Sequence, residues 1–153
     1  MATIGRKELD EIRRHGVEAY PDECCGVVVA VAGGGHRVMR VRNIQDEMHA
    51  KDPANYPRTA RIAYSGHPSD LRAALDAADA EGCSLFAFYH SHPDHESYFS
   101  DEDSAQATPF GEPSYPEALQ VVVSVYDREV RAIKAFVWSR NAGAYVETPL
   151  EEE

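Results

Sequence analysis

Ser84–Asp103 reads SLFAFYHSHPDHESYFSDED, and this stretch decides the architecture. Ser84–Tyr89 is apolar and aromatic with no helical period, so it reads as a strand through the interior. His90 and His92 follow directly, two residues apart. Strand side chains alternate between faces, so both imidazoles point one way and Ser91 points the other. Pro93–Phe99 is a polar loop. Ser100 then caps a helix through about Thr108. Its hydroxyl accepts from a free backbone N–H, and Asp101, Glu102 and Asp103 fall in the first turn, where the helix dipole favours acids.

Upstream, Arg6–Tyr20 sets Leu9, Ile12, Val17 and Tyr20 at roughly helical spacing, and Pro21 ends that helix. Cys25–Val31 is a short β-branched run and reads as a buried strand. Gly33–Gly35 is a turn, and the alternation over His36–Ile44 marks the returning strand. Gln45–Pro57, polar with two prolines, reads as a loop, and Thr59–Tyr64 as another strand. Pro68–Glu81 is a helix with proline in its first turn, a Leu71/Ala74/Leu75/Ala78 face and Gly82 at its C-terminal cap. Downstream, Pro109–Pro116 is a loop. Leu119–Tyr126 and Val130–Trp138 form a hairpin across Asp127–Glu129, and Tyr145–Thr148 is a last short strand. The order predicts an α+β fold: a mixed, largely antiparallel sheet flanked by helices. Residues 1–148 make one domain, and 149–153 are read as a frayed, solvated acidic tail.

The composition narrows the function. The 153 residues carry 26 acidic and 15 basic side chains, a formal net charge of −11. That disfavours nucleic acid, which needs Lys and Arg to displace its counterions, and it disfavours anionic lipid. It suits a basic protein partner or a high-salt environment. Three cysteines, two of them adjacent, make no disulfide framework, so they read as reduced thiols of a cytosolic protein. The first residues have no apolar core for a signal peptide, and no run approaches the ~20 apolar residues of a membrane span.

Two convergent imidazoles are half of a zinc site. If the helix after the loop packs over the strand end, Asp103 becomes the third ligand. A fourth position is then left for water, which marks a catalytic zinc. Zinc lowers the pKa of bound water from 15.7 to about 7, and a neighbouring carboxylate can take the proton and pass it to a leaving amine. Nothing between His90 and Asp103 identifies that base. Blander readings stand beside these: strand histidines at a solvated sheet end, and Ser100 with Asp103 as a capping pair alone. Asp101 competes with Asp103. Cys24 and Cys25 invite ligation or thiol chemistry, but such cysteines are more often small buried hydrophobes. His15, His36, His49 and His67 have no partner at ligand spacing.

His90-Ser91-His92, seven residues, Ser100, two residues and Asp103 match the JAMM pattern H-[ST]-H-x7-S-x-x-D without a gap. From the chain's own composition, H-x-H-x7-S-x-x-D arises by chance in about one such chain in a thousand. The chain thus resembles the MPN+ (Mov34-type) metallopeptidase domains over nearly its whole length. Pro21–Gly26, PDECCG, resembles the family's P-x-E-x-C-G segment. The resemblance implies one zinc per chain on His90, His92 and Asp103, with Glu23 as general acid/base and Ser100 steadying the water or the oxyanion. It implies cleavage of peptide or isopeptide bonds beside ubiquitin-like proteins. The Tyr89–Asp94 run YHSHPD resembles small free-standing bacterial members most closely. These act on β-grasp ubiquitin-like sulfur carriers at the C-terminal Gly-Gly. A homodimer is compatible with this reading, and loops 45–57 and 109–116 would suit capture of an extended tail by strand addition. The rival within the fold is a catalytically silent scaffold or binding module. A DNA-repair-associated relative shares the spacing but usually has H-N-H-P-S-G where this chain has H-S-H-P-D-H. The P-C-x-x-C and H-x-E signals of zinc deaminases are absent.

Overall fold

The computed structural model describes residues 2–153. In chain order the elements are β1 (Ala2–Ile4), α1 (Arg6–Ala19), β2 (Cys25–Ala30), β3 (His36–Val41), α2 (Gln45–Lys51), α3 (Pro68–Ala80), β4 (Ser84–Pro93), α4 (Asp101–Ala107), β5 (Leu119–Tyr126), β6 (Glu129–Ser139), β7 (Ala144–Thr148) and β8 (Leu150–Glu152). Six strands form one sheet in the order β3-β2-β4-β5-β6-β7. Every neighbouring pair is antiparallel except β4 and β5. A parallel pair needs a crossover, and here α4 with the loop behind it makes the return. The fold is the expected α+β arrangement.

Alternation along the central strands sorts the core into two layers. Val28, Tyr89, Val121, Val123 and Val125 face α1, whose Leu9 and Ile12 close that layer. Gly16 lets α1 approach closely: a Cβ there would lie 3.2 Å from Val125 and 3.7 Å from Ser91. On the other face Cys25, Val27, Val29 and Val41 meet α3 through Ala78, with Leu71 and Leu75 alongside. The α3 helix ends as its Gly82 predicts. Gly82 has φ +73°, its N–H bonds Asp79 O, and the Cys83 N–H bonds Ala78 O, which together form a Schellman cap.

Three segments differ from the sequence reading. Gln45–Lys51 is a helix rather than a loop, because tertiary hydrogen bonds hold it. The Gln45 amide donates to Arg58 O (2.9 Å), the Ser65 hydroxyl donates to Gln45 Oε1 (2.7 Å), and Asp46 accepts from Ala60 N (2.7 Å). Thr59–Tyr64 is no strand: the Ala60 backbone binds Asp46 and the Glu23 N–H, and a turn follows. The acidic tail is not frayed. Leu150–Glu152 pairs in parallel with Ala2–Ile4, and Glu152 reaches Arg13 at 2.9 Å.

Candidate metal centre

β4 runs four residues further than its apolar stretch, to Pro93, and carries both histidines at its C-terminal end. His90 pairs with Cys25 on one side and Val122 on the other, and His92 with Ser124, so the pair sits in the most central part of the sheet. Ser91 turns to the opposite face and accepts the Cys24 N–H at 2.8 Å. α4 then lies across the strand end. Its capping box is complete: Asp103 N donates to Ser100 Oγ and Ser100 N donates to Asp103 Oδ2, each at 3.0 Å. The same Oδ2 lies 3.1 Å from His90 Nε2 and 3.2 Å from His92 Nε2, and the two Nε2 atoms are 3.1 Å apart. The cap that begins the helix therefore also fixes the carboxylate against the imidazoles.

These donors fit a metal ion. Tetrahedral zinc with ligands at about 2.0 Å sets neighbouring donors about 3.3 Å apart, close to the triangle observed. His92 Nδ1 faces the Glu96 carbonyl at 2.8 Å, an acceptor, so Nδ1 holds a proton and the neutral ring presents its Nε2 lone pair to the cluster. His90 is fully buried, and its Nδ1 has no hydrogen-bond partner among the described residues. Three buried lone-pair donors need a cation or a shared proton between them. Burial pulls the His92 pKa down, but Asp103 and Glu96 O outweigh it and raise it. Burial pushes Asp103 up, yet the charges and hydrogen bonds of His90 and His92 hold it well below the carboxylate range.

Glu23 and Ser100 line the same cleft, of about 680 Å³, with His92 and Asp103. Glu23 is only 6 % exposed, and burial pushes its carboxyl pKa up to about 8; His92 pulls against this and Asp103 adds to it. Its backbone is clamped by Ala60 O (2.7 Å from Glu23 N) and by the Asn43 amide (2.8 Å to Glu23 O). Asp101 is exposed while Asp103 is buried. Cys24 and Cys25 are free, buried thiols, pushed up by burial to about 11 and about 12, and Cys25 Sγ donates to Val41 O. They stand outside the ligand cluster.

The structure also places residues that sequence reasoning missed. Tyr64 stacks on His90 with centroids 4.6 Å apart and planes 25° apart, and Arg58 is the one Lys or Arg among the described residues lining the cleft. Neither belongs to a motif; only the packing reveals them.

A mixed α+β domain with a buried His-His-Asp cluster where the central strand meets a capped helix defines a class of possible metal-binding proteins. The family of prokaryotic homologs of the JAB domain matches residues 6–138, and the chain belongs to it. No curated protein matches the chain in sequence. A solution structure of a Desulfitobacterium hafniense protein is similar at TM-score 0.73 and 20% identity, covering 100% of this chain and 93% of that one. One from Salinibacter ruber has TM-score 0.64 and 28% identity, with 100% and 92% covered. A crystal structure of a JAB1/MPN domain protein from Archaeoglobus fulgidus has TM-score 0.52 and 19% identity, covering 99% and 100%. Among the described residues no helix is long and apolar enough to cross a membrane.

Proposed function

We propose that the chain is a zinc-dependent peptidase or isopeptidase of the JAMM type, cleaving at the C-terminal Gly-Gly of a ubiquitin-like sulfur carrier. One observation carries the reading: three donor atoms within 3.2 Å of one another, with His92 and Asp103 in a cleft also lined by the buried Glu23 carboxyl. His90, His92 and Asp103 would hold the metal. Zinc held there would supply Lewis acidity, polarising a carbonyl and bringing the proton loss of water into the neutral range. The chain's own residues supply the proton handling. Glu23, buried in the same cleft, takes a proton from water and returns it to the leaving amine. The Ser100 hydroxyl accepts from Asp103 N, so its own proton remains free to steady developing negative charge.

The carrier substrate rests on the YHSHPD resemblance and on the shape of the cleft. Ile62 and Tyr98 line the cleft and are 48 % and 52 % exposed, an apolar surface for a docked tail. Free buried thiols suit a reducing, cytosolic compartment.

The test is metal content per chain by mass spectrometry on protein purified without a metal-affinity tag, beside Asp103→Ala and Glu23→Gln. The expected result is one zinc in the parent and none in Asp103→Ala. Glu23→Gln should hold zinc but lose turnover on a carrier extended beyond Gly-Gly by about 10²-fold or more. A parent that takes up no zinc when it is supplied would make the domain a scaffold.

A further inference from the structure

A second pocket of about 300 Å³ adjoins the metal centre, and nothing in the mechanism above uses it. Its floor is the sheet: Val27, Phe88 and Gln120 lie side by side in register on β2, β4 and β5. Phe88 precedes His90 by two residues and so shares its face of β4. Tyr64 is the partition. Its ring stacks on His90, and it lines both the pocket and the metal cleft. Tyr115 leans on Phe88 with centroids 5.1 Å apart, and Tyr145 adds a third aromatic wall. No Asp, Glu, Lys, Arg or His among the described residues lines it, in a chain of net charge −11.

We propose that this pocket receives the side chain of the first residue beyond the scissile bond and selects an aromatic or large aliphatic one. The inference rests on the peptidase reading. An extended chain advances about 3.3 Å per residue, so only a residue flanking the bond reaches a pocket that shares a wall with a metal ligand. The residue before the bond is glycine and has no side chain, which leaves the first residue of the departing segment. A charged side chain would be buried there without a partner. A small one would leave the floor unfilled, and an aromatic ring meets Phe88, Tyr64 and Tyr115 in edge or offset contact.

The test uses zinc-loaded protein and a β-grasp carrier ending Gly-Gly-X before a fixed short tail, with X as Phe, Leu, Ala, Asp or Lys. Release of the tail is followed by mass spectrometry. Phe and Leu should exceed Ala, Asp and Lys by about tenfold or more in kcat/KM. Ala107→Phe, which fills the pocket from the end of α4, should lower the Phe substrate to the level of Ala, with zinc content showing an intact fold. Should that variant misfold, Tyr115→Ala in the exposed loop should weaken the same preference. A flat profile, or one led by Asp or Lys, overturns the proposal. If no substrate is cut, the peptidase reading falls, and binding decides the pocket separately. Phenylalaninamide should shift the NMR signals of Leu71 and Ala107 while aspartic acid α-amide does not, and equal or absent shifts overturn the assignment.

Discussion

A carboxyl that is 6 % exposed and makes no side-chain hydrogen bond among the described residues destabilises the fold whenever it ionises. Glu23 has an ordinary value of 4.5, and burial moves it to about 8. Between those values the folded protein binds more protons than the unfolded chain, so stability falls as pH rises through that window. Glu23→Gln removes the dependence. In metal-free protein the variant should be the more stable at pH 8.5, by on the order of 1–3 kcal/mol after allowing for relaxation of the site. The difference should close towards pH 4.5. Melting curves at both pH values decide it: a constant difference, or a more stable parent at pH 8.5, removes the argument that the glutamate is held for its chemistry at a cost in stability. His15 works with the opposite sign. Burial, then Arg40, lowers it from 6.5 to about 4 beside the Tyr89 hydroxyl at 2.7 Å. The unfolded chain binds the extra proton between those values, so this histidine withdraws stability as pH falls from 6.5 to 4. His15→Gln should flatten the acid limb of the stability profile and leave the alkaline limb as it was, and an unchanged acid limb would place its cause elsewhere.

At the scale of elements, β2 and β4 are joined by a contact that requires glycine. Gly26 and Tyr89 are register partners, and a Cβ on Gly26 would lie 2.3 Å from the Tyr89 ring, itself 1 % exposed and unable to swing out. Gly26→Ala should destabilise by about 1–3 kcal/mol. Tyr89→Leu in the same chain should recover part of that loss, and strict additivity in the double-mutant cycle would mean the two do not touch. The contact explains a glycine that the PDECCG segment offered only as a resemblance. Much of the His90/His92/Asp103 cluster was legible for a local reason: strand alternation fixes where His90 and His92 point, and the three-residue reach of a capping box fixes Asp103. What escaped was non-local. QDEMHAK has no apolar face, and its helix depends on Arg58, Ala60 and Ser65 far along the chain. Thr59–Tyr64 has the composition of a strand, but its backbone groups are taken by Asp46, by the Glu23 N–H and by its own turn. Tyr64 could not be placed against His90 by any spacing rule, since they lie 26 residues apart on unrelated segments.

For the whole molecule, the ends of the chain are tied together beside the main sheet. β8 pairs with β1, the Glu153 N–H bonds Ile4 O, and the Arg6 N–H bonds Glu153 O. Ile4 is 1 % exposed, and Leu150 packs on the same core layer as α1. Two effects oppose each other when residues 150–153 are removed. Losing the cover over Ile4 and the burial of Leu150 destabilises by about 1–3 kcal/mol. Removing Glu151, Glu152 and Glu153 takes the net charge from −11 to −8 and relieves self-repulsion, although Glu152 also loses Arg13. Salt separates the two, because at about 1 M the Debye length is about 3 Å and the exposed charges hardly sense one another. In high salt the truncated chain should melt several degrees below the parent, at roughly 2–4 °C per kcal/mol for a domain of this size. In low salt the gap should narrow. Zinc uptake should be the same in both chains, since the proposed ligands lie on β4 and α4 and none touches the tail. Equal melting temperatures in high salt would return the tail to the solvated role its composition suggests. A truncated chain that lost zinc would instead mean that closing β1 against β8 holds β4 in place from the far side of the α1 layer.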